Sequence, residues 1–320
     1  MPSQISPQIK LGVWVLIILS LVIVSGALLK GPVNSAKGSV LGISFPAGMF
    51  NFTSNFSFMF ETQSSGLSKV VGERLAGADG EYAVYIEDLS DGENYGLKQY
   101  DSFPSASLYK VFLMAAVLKK VENGELTLDS KVSSTKKHLA SVLGSVDFGY
   151  EEAPEEISYT IQIALERVGR ISDNFASLML AEKVSWDQVQ EVVDSIGTTN
   201  TIIKSPIRTS AADVGLFFKK LHQKEVVSPK VSEQIMEFLS LNNINDRIPA
   251  KLPEGVKTVH KTGELSRLRH DAGLVYFAYS TTGYVIVLMS KDLQYEDQGI
   301  EVLANLSKDV YDYLKSKQKI

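Results

Sequence analysis

The chain has 320 residues, 44% hydrophobic and 22% charged, which is enough apolar material for one large core or two small ones. A formal net charge of -5 provides no basic face for nucleic acid. Cysteine is absent, which excludes a disulfide framework, a thiolate nucleophile and a sulfur metal site. The histidines, His138, His222, His260 and His270, do not fall at metal-ligand spacings, so no metal and no cofactor is expected.

Residues 11–29, LGVWVLIILSLVIVSGALL, carry no charge, and Lys10 and Lys30 flank them. About 20 apolar residues at helical rise cross a bilayer core. Two readings compete: an uncleaved anchor, or a secretory signal cut at small residues from Ser25 to Ala27. Leu28 and Leu29 extend the run past a signal's usual core, which favours the anchor. One lysine on each side gives almost no positive-inside bias. Residues 1–30 are thus expected to be a membrane segment and residues 31–64 a tether. The tether is rich in Gly, Ser and Pro and ends in MFNFTSNFSFMF, with Phe50, Phe52, Phe56, Phe58 and Phe60 mostly at period two.

The folded unit is expected over residues 65–320. SGLSKVVGERLAG reads as an amphipathic helix, and EYAVYIEDLSDGENYGLKQY as two strands around an Asp91-Gly92 turn. Pro104 then marks the start of an apolar helix, FPSASLYKVFLMAAVLKKVENG. A helical middle follows over about residues 130–245, with Ser185 and Ser210 as N-caps. Strands return in GVKTVHKTG, RHDAGLVYFAYS and YVIVLMSKD, the last two split by a TTG turn, and a helix over about residues 294–317 closes the chain. The fold class expected is α+β, an antiparallel sheet flanked by helices plus a helical lobe, with an N-terminal transmembrane helix and a cleft between sheet and lobe.

Ser107 and Lys110 lie one turn apart near the first turn of that apolar helix. A hydroxyl and an amine are poor core material unless paired. A serine needs an adjacent base, and a lysine can be that base if burial or another cation lowers its pKa. Serine–x–x–lysine alone is weak, recurring at Ser133–Lys136, Ser134–Lys137 and Ser316–Lys319 in polar contexts. However, Ser172, Asp173 and Asn174 follow in an apolar helical context, and Lys261, Thr262 and Gly263 end an alternating strand. S-x-x-K, S-D-N and K-T-G, in this order, are the set of class A β-lactamases and penicillin-binding proteins.

The chain therefore resembles the class A β-lactamase-like serine hydrolases within the penicillin-binding superfamily, over about residues 66–317. The resemblance implies that Ser107 attacks an amide or β-lactam carbonyl and Lys110 takes its proton. Ser172 would relay a proton to the leaving nitrogen, and Lys261 would fix a substrate carboxylate and keep Lys110 neutral. Asn174 would hold the substrate's amide side chain, Thr262 the carboxylate, and the N–H groups of Ser107 and Glu264 the oxyanion. Gly263 would let substrate lie against the strand. Arg267 or Arg269 either assists carboxylate binding or is surface charge, and Asp271 is expected as a structural residue at a strand start. In class A enzymes a loop glutamate after S-D-N activates the deacylating water. Here the corresponding stretch, GTTNTIIKSPIRTSAAD at residues 197–213, holds no acid before Asp213. Glu182, Asp187, Glu191 and Asp194 read as positions on the preceding helices.

Three functions follow from this pattern. The first is a β-lactamase-type hydrolase opening β-lactams. The second is a membrane-anchored D,D-peptidase acting on peptidoglycan peptides, favoured by the missing glutamate and the anchor. The third is a non-catalytic peptidoglycan-binding or β-lactam-sensing domain. All three put the domain outside the cytoplasmic membrane, anchored through residues 11–29 or secreted after signal cleavage, and a monomer is expected.

Overall fold

A strand with both faces buried reads as an unbroken apolar run. Residues 284–289, YVIVLM, are such a run and are buried throughout. The computed structural model describes residues 64–143 and 154–318. The candidate span 11–29, the phenylalanine-rich stretch and nearly all of the expected tether lie outside them. Among the described residues no helix is long and apolar enough to cross a membrane.

The first elements are α1 (Ser65–Leu75), β1 (Glu81–Asp88) and β2 (Asn94–Leu97). Gly92 sits at φ 77 in the turn between the two strands, where glycine is favoured. Next come β3 (Phe103–Pro104), a 3-10 turn (Ala106–Tyr109) and α2 (Lys110–Glu122). The middle of the chain holds β4 (Lys131–Thr135), α3 (Lys136–Leu143), β5 (Glu156–Thr160), α4 (Ile161–Ile171), α5 (Asn174–Val184) and α6 (Trp186–Ile196). Then come β6 (Arg208–Thr209), α7 (Ala211–His222) and α8 (Pro229–Ser240). The chain closes with β7 (Lys257–Leu265), β8 (Leu268–Tyr276), β9 (Gly283–Lys291) and α9 (Glu296–Lys317).

Five strands form one antiparallel sheet in the order β2-β1-β9-β8-β7. One face packs on α1 and α9 through Leu67, Val71, Ile286, Leu288, Leu306 and Val310. The other packs on the helical part through Ala83, Val285, Val287 and Met289. Central β9 is therefore buried on both sides, while β7 lies at an edge. Helix α2 is apolar all round, and Lys110 to Leu118 are buried without a break. The N-caps at Ser185 and Ser210 form as the sequence indicates, accepting from Gln188 N and Asp213 N.

The middle of the chain is not wholly helical. β4 pairs β5, and β3 pairs β6. These strands are short and largely polar, Val132 and Ile157 being the buried members of β4 and β5, and their partners are distant in sequence. Local periodicity carries no signal for such pairs. The connections also fix helix spacing: a Cβ on Gly169 of α4 would stand 2.2 Å from the Phe238 carbonyl oxygen of α8. Gly169→Ala gains up to about 1 kcal/mol of helix propensity but overpacks that contact, which costs about 1–3 kcal/mol or more. A net loss of about 2 kcal/mol, read as a lower urea midpoint at unchanged m-value, is expected.

Candidate active site

Residue 106 is an alanine held at φ 45, a left-handed conformation that costs a residue with a Cβ of order 1 kcal/mol. It immediately precedes Ser107. Ser105 caps the turn by accepting from Tyr109 N at 3.1 Å. Pro104 O meets His270 Nε2 of β8 at 2.9 Å. His270 Nδ1 accepts from Ser290 N at 3.2 Å, so Nε2 carries the proton that Pro104 receives. Burial holds His270 down to about 4, against the Pro104 and Arg269 carbonyls, which pull it up.

Gly263 of β7 lies against the serine turn. A Cβ there would stand 3.2 Å from the Ala106 Cβ and 3.4 Å from Leu108 Cγ. Its missing side chain leaves room for the serine turn to seat against β7.

Ser107 is half-buried on the 3-10 turn, while Lys110 begins α2 and is wholly buried. Ser172 is not within a helix, as its apolar flanks suggest. It ends α4 in the left-handed region, at φ 56, and Asp173 then caps α5 by accepting from Ala176 N. The Arg167 guanidinium holds Asp173 at 2.6 Å. This break aims the Ser172 carbonyl, its hydroxyl and the Asn174 amide at one amine. Lys110 Nζ donates to Ser172 O at 2.7 Å and Asn174 Oδ1 at 2.6 Å, and lies 3.3 Å from Ser172 Oγ. Lys261 Nζ approaches the same hydroxyl at 2.8 Å and donates to Thr262 O at 2.8 Å. Lys261 is fully buried, and that burial, then the Lys110 charge, pushes it well below an ordinary lysine, with Asp271 pulling it back up.

The edge of β7 can be read from its hydrogen bonds. In antiparallel pairing a residue's N–H and C=O point the same way, alternating along the strand. His260 O accepts from Asn242 Nδ2, and Thr262 O from Lys261 Nζ, so even-numbered residues face outward. The Glu264 N–H therefore lies on the free edge, on the same side as the Thr262 carbonyl that Lys261 reaches. Thr262 itself is buried, and the Glu264 carboxylate bonds the Arg247 guanidinium.

The comparisons with known proteins bear on this geometry. The model of the Beta-lactamase enzyme family matches residues 66–314. The chain belongs to that family. Among its relatives, the extended-spectrum β-lactamase PER-1 of Pseudomonas aeruginosa is 21% identical over 279 residues, 80% of this chain and 90% of that protein. β-Lactamase SME-1 of Serratia marcescens is 25% identical over 217 residues, 63% of this chain and 72% of its own. Among solved structures, PBP-A aligns with a TM-score of 0.72 at 22% identity, covering 80% of this chain and 98% of PBP-A. A β-lactamase from Chitinophaga pinensis aligns at 0.71 and 24% identity, covering 78% and 100%. These likenesses establish the β-lactamase-type fold.

Two features of the site were not legible in the family motifs. Arg247, fully buried, pairs with Glu264 and lies 3.4 Å from His270 O. Its only sequence signal is an arginine in DRIPAKLP, unremarkable in a polar loop. Asp271 is four residues into β8's span, not at a strand start, and is fully buried; it accepts from Ile248 N at 3.0 Å and meets His260 Nδ1 at 2.8 Å. Arg267 and Arg269 are turned to Glu296 and to the carbonyls of Leu293, Leu265 and Leu268. In the stretch 197–213, Asp213 accepts from Thr199 N at 3.2 Å, Asn200 N at 2.7 Å and Thr201 Oγ1 at 2.7 Å. Its carboxylate staples the loop backbone.

Two outcomes are expected. A histidine whose folded pKa of about 4 lies below its unfolded value takes its proton preferentially when unfolded. Its stability contribution is complete above about pH 6.5 and declines as pH falls toward 4, by about 3 kcal/mol in all. Urea midpoints at pH 7 and 4.5 should show that loss in the wild type and a shallower one in His270→Asn. Gly263→Ala should push on Ala106 and displace Ser107. Any reaction at Ser107 should slow about 10- to 100-fold, with a much smaller change in thermal midpoint.

Proposed function

We propose that the protein is a serine hydrolase that opens the β-lactam amide through an acyl-enzyme at Ser107. The observation that carries this reading is the meeting of two buried lysines, Lys110 and Lys261, at the Ser172 hydroxyl, one turn from a serine on a helix-initiating turn. Two cations in a dry site each disfavour the other's charge, so one of the pair is readily neutral and can act as a base. Ser107 Oγ attacks the carbonyl carbon and its proton passes to Lys110. The oxyanion is held by the N–H groups of Ser107 and Glu264, the second on the free edge of β7. The C–N bond breaks as Ser172 gives its proton to the leaving nitrogen and is reprotonated from the lysine pair. Lys261 and Thr262 bind the substrate carboxylate, and Asn174 the amide side chain. Water then cleaves the ester and restores Ser107.

A second reading, a D,D-peptidase of peptidoglycan that β-lactams acylate and leave slowly, is favoured by the loop. The single acid of residues 197–213 is committed to the Thr199, Asn200 and Thr201 contacts. The similarity to PBP-A, a mutant of which is known as an acyl-enzyme complex with penicillin G, supports acylation as the shared step. On either reading the uncharged run 11–29 anchors the chain with the catalytic domain outside the cytoplasmic membrane.

Intact mass of the full chain after a pulse of penicillin tests both. An adduct is expected in the wild type and not in Ser107→Ala, and Lys110→Ala should slow its formation about 10²- to 10⁴-fold. Clearance of the adduct with consumption of drug identifies the β-lactamase, and an adduct lasting many minutes identifies the peptidase. Absence of any adduct overturns both.

A further inference from the structure

The free edge of β7 does not end at the candidate active site. Upstream of Lys261 it borders a cavity of about 590 Å³ between β7, α8 and the segment joining them. Its walls include Glu237 of α8, Asn242 and Asn245 of the connection, Lys257 and Thr258 of β7, and Tyr276 of β8. Asn242 Nδ2 covers His260 O and so separates this cavity from the catalytic stretch of the same strand edge.

Three features point to one kind of ligand. Thr258 is even-numbered, so its N–H and C=O face outward, where an extended chain can add as a further strand. Glu237 and Lys257 stand on different walls, one on the helix and one on the strand, and neither has an ion pair among the described residues. The rest of the lining, with Ser240 and Val259, mixes hydroxyls, amides and apolar surface, as small-ligand sites do.

The cavity also touches the machinery behind Lys261. Asn245 Oδ1 lies 3.1 Å from His260 Nε2, and His260 Nδ1 lies 2.8 Å from Asp271 Oδ1. Asp271 is paired across the sheet with Thr262. His260 is thus held between Asp271 of β8 and Asn245 of the cavity wall, with Lys261 next to it in the strand. Tyr276 is tied at 3.1 Å to His222 of α7.

We propose that this cavity is a second ligand site for a short peptide bearing both a free ammonium and a carboxylate, and that its occupancy is felt at Lys261 through Asn245, His260 and Asp271. The peptide backbone pairs with Thr258, its ammonium faces Glu237 and its carboxylate faces Lys257. The binding claim stands without the chemistry assigned to Ser107; the coupling rests on that reading.

Calorimetry on the full-length Ser107→Ala protein, with trialanine as probe, tests the binding. Saturable binding in the millimolar range or tighter is expected. N-acetyl-trialanine amide, lacking both terminal charges, should bind about tenfold more weakly, and Glu237→Gln and Lys257→Gln should each weaken trialanine about threefold. Thr258→Pro removes an outward N–H while leaving the ladder to β8 intact, and should weaken binding about tenfold. No saturable binding, or binding indifferent to the caps and to all three variants, overturns the site. In the second arm, the rate of penicillin adduct formation on the wild type is followed with and without saturating trialanine. A change of at least about twofold that Lys257→Gln diminishes is expected. An unchanged rate with proven binding overturns the coupling alone. If penicillin never acylates Ser107, the proposed function fails while calorimetry still decides the cavity.

Discussion

The structure depends on keeping two lysines in a place that water does not reach. Lys110 and Lys261 are both fully buried, and an isolated buried ammonium is so costly that it either finds partners or loses its proton. Both lysines are given oxygen acceptors: Lys110 the Ser172 carbonyl and the Asn174 amide, Lys261 the Thr262 carbonyl, with the Ser172 hydroxyl between them. Nearby negative charge reaches Lys261 from Asp271 first and then from Glu264, both of the same sheet. Neutral acceptors hold either protonation state, whereas a direct carboxylate would lock the ammonium. That distinction separates a lysine able to take a proton from one that merely completes an ion pair.

This requirement explains otherwise unrelated pieces of the fold. Helix α2 is apolar on all sides because it must carry Lys110 into the core. The chain breaks at Ser172 because a continuous helix would bond the very carbonyl that Lys110 needs. The strained Ala106 is held between Ser105, the Pro104–His270 contact and the bare flank of Gly263. Local strain of this kind persists only where the surroundings over-determine it. β7 must be an edge strand, since a sixth strand would consume the outward Thr262 carbonyl and Glu264 N–H.

The motifs at Ser107, Ser172 and Lys261 were legible in the sequence because each is local and chemically unusual, and the apolar runs of α2 and β9 revealed buried elements. The Asp91-Gly92 hairpin followed from turn chemistry, and the caps at Ser185 and Ser210 from residue type. What stayed hidden was non-local. The helix break at Ser172 has no glycine or proline to announce it, because αL is adopted by serine itself. The Arg247–Glu264 and His260–Asp271 contacts join residues 17 and 11 apart across loops and strands, and nothing in their local patterns marks them. Sequence shows that the glycine of K-T-G lacks a side chain, but not that the serine turn packs beside it.

Acylation and deacylation draw on different parts of this architecture. Everything proposed for acylation is fixed by α2, the α4–α5 break and β7, which are buried and mutually braced. The deacylating glutamate of class A enzymes belongs instead to a loop, and here that loop is closed on itself. Asp213 takes two backbone N–H groups and the Thr201 hydroxyl, and Gln190 accepts from Ile203 N at 2.7 Å while reaching Thr201 O. A carboxylate with that many donors is held in place by the loop it organises, and swinging it toward an ester would unpair three donors at once. The groups proposed for acylation are thereby built into the core, whereas a group for deacylation would have to come from elsewhere than this loop's only acid.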